Sequence, residues 1–338
     1  MMKKYYLVLS ILFAALVLTS SCKKDETTEP AINEAQVLAD YLSTYPNTDP
    51  FPAMISASDL NTLIVALDPG VYVIDIRSAT DFGNGHITGA VNVTLTNLLT
   101  YYESNNLSTK TTVAIACYSG QTASYGASLL RMLGYTNIKV LKFGMSSWNP
   151  ATKGSWVNNI KNTLATEMVT TAGTKNATGE LPVLSTGKTT GAEILRARVE
   201  TLLAVADPFA EAKITNQAAY DNRASEYIVN YWKTTHYSAG HLPGAVQYTP
   251  KETMSITQEL KTLPTDKPVV VYCYTGQTSG FLVAYLKVLG YDAKSLLFGT
   301  NGMMYDDMLL YNTTAATDDK MTVFVEANDV KDYTLVTK

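Results

Sequence analysis

One run of residues occurs twice in this chain. CYSGQTAS at 117–124 returns as CYTGQTSG at 273–280. Upstream, VYVIDIRSATDFGNGHITGAV (71–91) aligns without a gap to EYIVNYWKTTHYSAGHLPGAV (226–246). The two share Gly85-His86 with Gly240-His241 and Gly89-Ala90-Val91 with Gly244-Ala245-Val246. AIACYSGQTASYGASLLRMLGY (114–135) matches VVYCYTGQTSGFLVAYLKVLGY (270–291), and VLKFG (140–144) answers SLLFG (295–299). Asp49-Pro50-Phe51 corresponds to Asp207-Pro208-Phe209, each after a helical stretch, NEAQVLADYL or GAEILRARVETLLAVA. The blocks keep their order, so one domain has been duplicated. The 338 residues suffice for about two such domains.

Each repeat reads as α/β. VYVIDI, VAIA and KPVVVYC are short β-branched runs of buried-strand type. TASYGASLLRML and TSGFLVAYLKVL have helix length and apolar spacing. Both end in Leu-Gly-Tyr, with Gly134 and Gly290 in the helix-stopping position. Strands alternating with helices imply, in each repeat, a parallel sheet flanked by helices. The expected organisation is a signal peptide (1–21), a flexible tether (22–34), domain 1 (35–150), a Thr/Gly-rich linker (151–190), domain 2 (191–312) and an extension (313–338). No counterpart of that extension is visible in the first repeat, and its MTVFVEA alternates like a short strand.

The N-terminus reads as a targeting segment. Lys3 and Lys4 precede an apolar run from Leu7 to Leu18, too short to span a bilayer as a helix. LTSSC then sets Cys22 after small residues, which resembles a bacterial lipoprotein signal, although Thr19 stands where an aliphatic residue is usual. The resemblance implies lipidation of Cys22 and membrane attachment through that lipid. KKDETTEP reads as a tether. Its lysine-then-acid order resembles export signals of outer-membrane lipoproteins, so the expected location is the outer membrane, facing the periplasm or the cell surface. With 46% hydrophobic and 17% charged residues, neither disorder nor a multi-span membrane protein fits, and a formal charge of −4 gives no footprint for nucleic acid.

Beyond Cys22 the chain has two cysteines, Cys117 and Cys273, and each heads one repeated loop. Each ends an apolar strand and precedes a glycine-containing turn into a helix, the edge of the sheet where ligand sites occur. Such a turn wraps backbone N–H groups around one point, and the helix N-terminus adds partial positive charge. That setting is expected to lower the thiol pKa and to make the thiolate a nucleophile. Two other readings stand beside it. Each cysteine is a buried structural residue, or the two join in a disulfide, which an exported chain permits.

The chain resembles a tandem of rhodanese domains. That family carries its sulfur-accepting cysteine in a C-x-x-G-x-[ST]-[SA] loop, preceded by D-x-R…[FY]-x-x-G-H-I-x-G-A. The first repeat has Asp75, Arg77, Phe82, Gly85, His86, Ile87, Gly89 and Ala90. The resemblance covers roughly residues 50–150 and 210–305. It implies a two-step transfer in which Cys117 or Cys273 takes the outer sulfur of thiosulfate or a persulfide and passes it to a thiol, cyanide or an acceptor protein. Backbone N–H groups of Tyr118, Ser119, Gly120, Gln121 and Thr122, and of Tyr274, Thr275, Gly276, Gln277 and Thr278, would hold the anionic sulfur. Hydroxyls of Ser119, Thr122, Thr275 and Thr278 would assist. No cofactor or metal is implied, and no Cys/His cluster has metal-ligand spacing.

The departures are informative. Many loops of the family have a basic residue after the cysteine, whereas this chain has Tyr118 and Tyr274, which weakens the case for thiosulfate. Asn230 and Trp232 replace Asp75 and Arg77 in the second repeat, and the Asp221-Asn222-Arg223 decoy aligns only with a ten-residue insertion. The lost pair reads as structural. His86 and His241 read as turn-stabilising, and His236, in place of Asp81, as a surface residue. A cysteine-dependent phosphatase needs C-x5-R, but Ala123 and Ser279 stand where the arginine would be. A non-catalytic module that binds or senses sulfur species remains the alternative to an enzyme, and sulfur handed between the two cysteines is a further variant.

Overall fold

The computed structural model describes residues 32–44 and 54–337. The first half runs α1 (Glu34–Thr44), β1 (Met54–Ile55), α2 (Ala57–Val65), β2 (Val71–Asp75), α3 (Ala79–Asn84), β3 (His86–Ile87), β4 (Val91–Asn92), α4 (Leu98–Ser104), β5 (Thr112–Ala116), α5 (Gln121–Met132), β6 (Ile138–Leu141) and α6 (Gly154–Val157). The second half runs α7 (Gly191–Leu203), β7 (Lys213–Ile214), α8 (Asn216–Asn222), β8 (Tyr227–Asn230), α9 (Thr234–Ala239), β9 (Val246–Gln247), β10 (Val269–Tyr272), α10 (Gln277–Val288), β11 (Ala293–Leu296), α11 (Tyr305–Thr314), α12 (Glu326–Asp329) and β12 (Leu335–Val336). The signal segment, Cys22, nearly all of the tether and the Asp49-Pro50-Phe51 match lie outside the described residues.

Each half builds one five-stranded sheet, in the orders β1-β6-β5-β2-β4 and β7-β11-β10-β8-β9. The two orders coincide under the repeat alignment, and every pairing within both sheets is parallel. The fold is therefore α/β with two helix-flanked parallel sheets. All residues of β5 and β10 are buried, as expected for central strands covered on both faces. Helices start at hydroxyl caps, with Ser56 Oγ accepting from Asp59 N–H and Thr215 Oγ from Ala218 N–H. The register sets Asp75 opposite Ala116 and Asn230 opposite Tyr272, so each falls beside the last strand residue before a cysteine.

Helices α5 and α10, which start at the two cysteine loops, pack against each other. Gly280 permits this approach, since a Cβ there would lie 3.1 Å from the Gln121 carbonyl oxygen. Ser128 Oγ donates to the Phe281 carbonyl at 3.1 Å. Helices α1 and α7 also pack together, with Gly191 against Tyr41. The Glu34 carboxylate accepts the N–H groups of Thr186 and Gly187, which ties the linker to α1. One apolar cluster runs through both halves.

The extension's match lies outside the first repeat, in the linker that follows it. Val169 bridges antiparallel to His241, and Val336 pairs antiparallel with His86. Each repeat's tail thus crosses to the Gly-His turn of the other repeat. Residues 321–325 form no strand, because side chains take up the backbone. Asn312 Oδ1 accepts from Met321 N–H and Asn301 Oδ1 from Phe324 N–H, both at 2.8 Å. Helix α12 then begins at Glu326.

Candidate functional site: two cysteine loops

Cys117 and Cys273 are free thiols, both buried, so the disulfide reading does not hold. Gly120 N–H and Ala123 N–H donate to Cys117 Sγ at 3.1 and 3.3 Å. Ser279 N–H donates to Cys273 Sγ at 3.3 Å. Of the expected stretches, only Gly120 is among these donors; Ala123 and Ser279 lie one residue beyond, and the single N–H on Cys273 Sγ comes from Ser279. Two of the expected hydroxyls are used otherwise. Ser119 Oγ accepts from Gln121 Nε2, and Thr275 Oγ from Gln277 N–H. Thr122 and Thr278 sit half-buried in the first turns of α5 and α10.

The expected lowering of the thiol pKa is overturned for Cys117. Burial, the largest influence, pushes this thiol up. The N–H groups of Ala123, Ser119 and Gly120 pull it down, and the Asp75 charge adds to the rise. A cradle visible in sequence therefore does not by itself produce a resting thiolate.

The loop's shape depends on two glycines. Gly120 and Gly276 have φ of +83° and +72°, left-handed backbone that carries each chain into its helix. Gly144 and Gly299 press on the loops from outside. A Cβ on Gly144 would lie 2.4 Å from the Cys117 carbonyl oxygen, and one on Gly299 would lie 2.2 Å from that of Cys273. Phe143 and Phe298, immediately before them, are held at φ +62° and +60°, uncommon for a bulky residue. Met145 N–H then donates to the Cys117 carbonyl and Thr300 N–H to that of Cys273. Sequence alignment located the Phe-Gly pair in both repeats but carried no sign of this strain.

The two loops interlock. Gln121 Oε1 accepts Phe298 N–H of the other repeat at 2.7 Å and lies over Gly276. Gln277 lies over Gly120 in return, and its buried Nε2 has no hydrogen-bond partner. Above them sits an aromatic cluster that sequence reasoning missed. Trp156, from the linker, packs on Phe143, Phe298 and Phe324, and its Nε1–H donates to the Ser119 carbonyl at 3.1 Å.

Around the first loop, Asp75 and Arg77 form a buried ion pair at 2.6 Å, and Arg77 also donates to the Gly85 carbonyl. The pair thus braces the turn holding His86, whose Nδ1 bonds the Phe82 carbonyl while its ring stacks on Phe82. His241 repeats that arrangement on Tyr237. Both histidines therefore serve the turns. Tyr118 is 42% exposed, and its hydroxyl donates to Asp81 at the edge of a cleft of about 300 Å³.

In the second repeat, Asn230 Nδ2 donates to the Tyr272 hydroxyl, and Trp232 stacks on Tyr274 at 5.2 Å. The surface expectation for His236 is wrong. It is buried and bonded to the Tyr274 hydroxyl, because Tyr311 and Asp319 from the segment beyond the repeat pack over it. The decoy Asp221-Asn222-Arg223 lies at the end of α8, not at a strand end.

A family model for the rhodanese-like domain matches residues 56–151 and 215–304, more than half of the chain. The thiosulfate sulfurtransferase GlpE of Shewanella oneidensis is 31% identical over 81 residues, 24% of this chain and 78% of that protein. GlpE of Pseudomonas fluorescens is also 31% identical over 81 residues, 24% of this chain and 72% of that protein. A solved thiosulfate sulfurtransferase of Pseudomonas aeruginosa covers 78% of this chain and 46% of its own at 17% identity, with a TM-score of 0.30. With a parallel sheet in each half and the family model matched in both, the chain belongs to the rhodanese-like domain family, as a tandem of two such domains.

Proposed function

We propose that this chain is an exported, lipid-anchored sulfurtransferase that moves sulfane sulfur from thiosulfate or a persulfide donor to a thiol or cyanide acceptor. The observation that carries the reading is the convergence of backbone N–H groups on Cys117 Sγ, repeated in part at Cys273. Such groups stabilise an anionic sulfur without reorganising when charge develops. In the first step the thiolate attacks the outer sulfur of the donor. With thiosulfate, the donor's S–S bond breaks, sulfite leaves with the bonding pair, and a cysteine persulfide remains. An acceptor thiolate then attacks the outer sulfur, and the pair of the breaking S–S bond returns to Sγ. Cys117 and Cys273 are the nucleophiles, and the two loops are the anion cradles. Lipidation of Cys22 would hold the enzyme at the outer membrane.

A second reading, a non-catalytic module that binds or senses sulfur species, is favoured by the burial of both thiols and the upward push on Cys117. Steady-state thiocyanate production from cyanide, with thiosulfate and with an organic persulfide, separates the two. Turnover that vanishes in the Cys117→Ser/Cys273→Ser double variant supports the enzyme. No turnover with either donor supports the binding module.

A further inference from the structure

Beside the first loop, Asp75, Arg77 and Asp81 together leave one net negative charge at the cleft. Arg77 is consumed by Asp75 and by the Gly85 carbonyl. Asp81, on the same cleft wall, meets only neutral donors, the Ser78 and Tyr118 hydroxyls. Those two hydrogen bonds, with a smaller pull from the Arg77 charge, hold its carboxyl below the usual carboxylate range, so it is ionised at neutral pH. Met145 and Leu335 add apolar surface to the cleft. Tyr118, the residue after the cysteine, also lines the cleft, and Met145 N–H binds the Cys117 carbonyl. A molecule in this cleft therefore lies beside the Asp81 carboxylate and the residue after the cysteine. At the equivalent place in the second repeat a histidine replaces the aspartate, and Tyr311 and Asp319 of the same chain pack over it.

We propose that the cleft of the first repeat selects small organic thiols bearing an ammonium group as sulfur acceptors for Cys117, with Asp81 as the specificity-determining residue. This inference rests on the sulfurtransferase reading. In the step concerned, the acceptor thiol loses its proton to solvent and its thiolate attacks the outer sulfur of the Cys117 persulfide. The Sγ–S bond breaks, its electron pair stays on Cys117 as thiolate, and the acceptor leaves as a persulfide. No oxidant or reductant is needed. Asp81 touches neither sulfur and acts through the acceptor's charge. Opposite charges a few ångströms apart at a wet surface change a rate by about threefold to tenfold.

The test uses the chain carrying Cys273→Ser, loaded with sulfur on Cys117. Discharge is timed by mass spectrometry with cysteamine, 2-mercaptoethanol and mercaptoacetate, which bear an ammonium, a hydroxyl and a carboxylate. The rate with 2-mercaptoethanol normalises the other two in each variant, and comparing variants cancels the intrinsic reactivity of each thiol. Expected is a drop of about tenfold in the cysteamine-to-mercaptoacetate ratio on Asp81→Asn. Tyr118→Phe, which removes a hydrogen bond but keeps the charge, is expected to retain most of the ratio. High salt should compress the ratio towards that of Asp81→Asn. An unchanged ratio in Asp81→Asn, or equal losses in both variants, overturns the assignment alone. A Cys117 that accepts no sulfur from any donor overturns the sulfurtransferase reading and this assignment with it.

Discussion

Gln121 of the first cysteine loop accepts the backbone N–H of Phe298 in the second repeat at 2.7 Å, so one loop supports the strained corner that presses on the other. Gln277 makes the reverse crossing, over Gly120, but with an unpartnered Nε2. The duplication is therefore asymmetric at its centre.

That asymmetry gives unequal costs. Gln121→Leu leaves the Phe298 N–H without its acceptor and should destabilise the chain by about 1–3 kcal/mol. Gln277→Leu removes a group that already lacks a partner at Nε2, and should cost less. Denaturant midpoints of the two variants check the order. Equal losses would contradict it.

Gly144 should tolerate no side chain. Its φ is +61°, and a Cβ would lie 2.4 Å from the Cys117 carbonyl oxygen and 2.6 Å from Gly120 N. Gly89, at φ +77°, has open space around it. Gly89→Ala should cost only the backbone strain, about 1–2 kcal/mol. Gly144→Ala should cost more and also slow sulfur transfer at Cys117, because Gly120 N–H binds Sγ. Urea titration beside a single-turnover assay reads both effects.

How much of this was legible in sequence follows from how local each signal is. Strands, helices and the position of Cys117 at a strand end are written in short apolar runs and in glycines at helix stops. The crossing of the tails is not, because Val169 and Val336 meet turns far away in the chain. The burial of His236 was illegible for the same reason, since its cover comes from Tyr311 and Asp319. The direction of the Cys117 shift is not legible either, because the loop motif announces N–H donors but not the desolvation that outweighs them.

The pH dependence follows from that desolvation. Burial disfavours the thiolate, so Cys117 ionises above the ordinary value of 9.0. With Cys273→Ser, iodoacetamide alkylation of Cys117 should keep rising with pH beyond 9, with no plateau below it. Unfolding removes the penalty, so this group's contribution to stability is present below the ordinary thiol pKa and is lost as pH climbs above it. A plateau near neutrality would show a preformed thiolate instead.

Phe324 should matter to the first loop although it comes from the far end of the chain. It is fully buried and stacks on Trp156, whose indole N–H holds the Ser119 carbonyl. Phe324→Ala should cost about 3–5 kcal/mol. It should also shift tryptophan emission to the red and speed Cys117 alkylation. Unchanged alkylation with lowered stability would mean the aromatic cluster supports the fold without controlling the loop.

If these loops carry sulfur, the intact mass of the chain, and of Cys117→Ser and Cys273→Ser, changes after incubation with thiosulfate or an organic persulfide. One added sulfur atom per remaining loop cysteine, removed by cyanide, is expected. A chain that keeps its starting mass with every donor would contradict it.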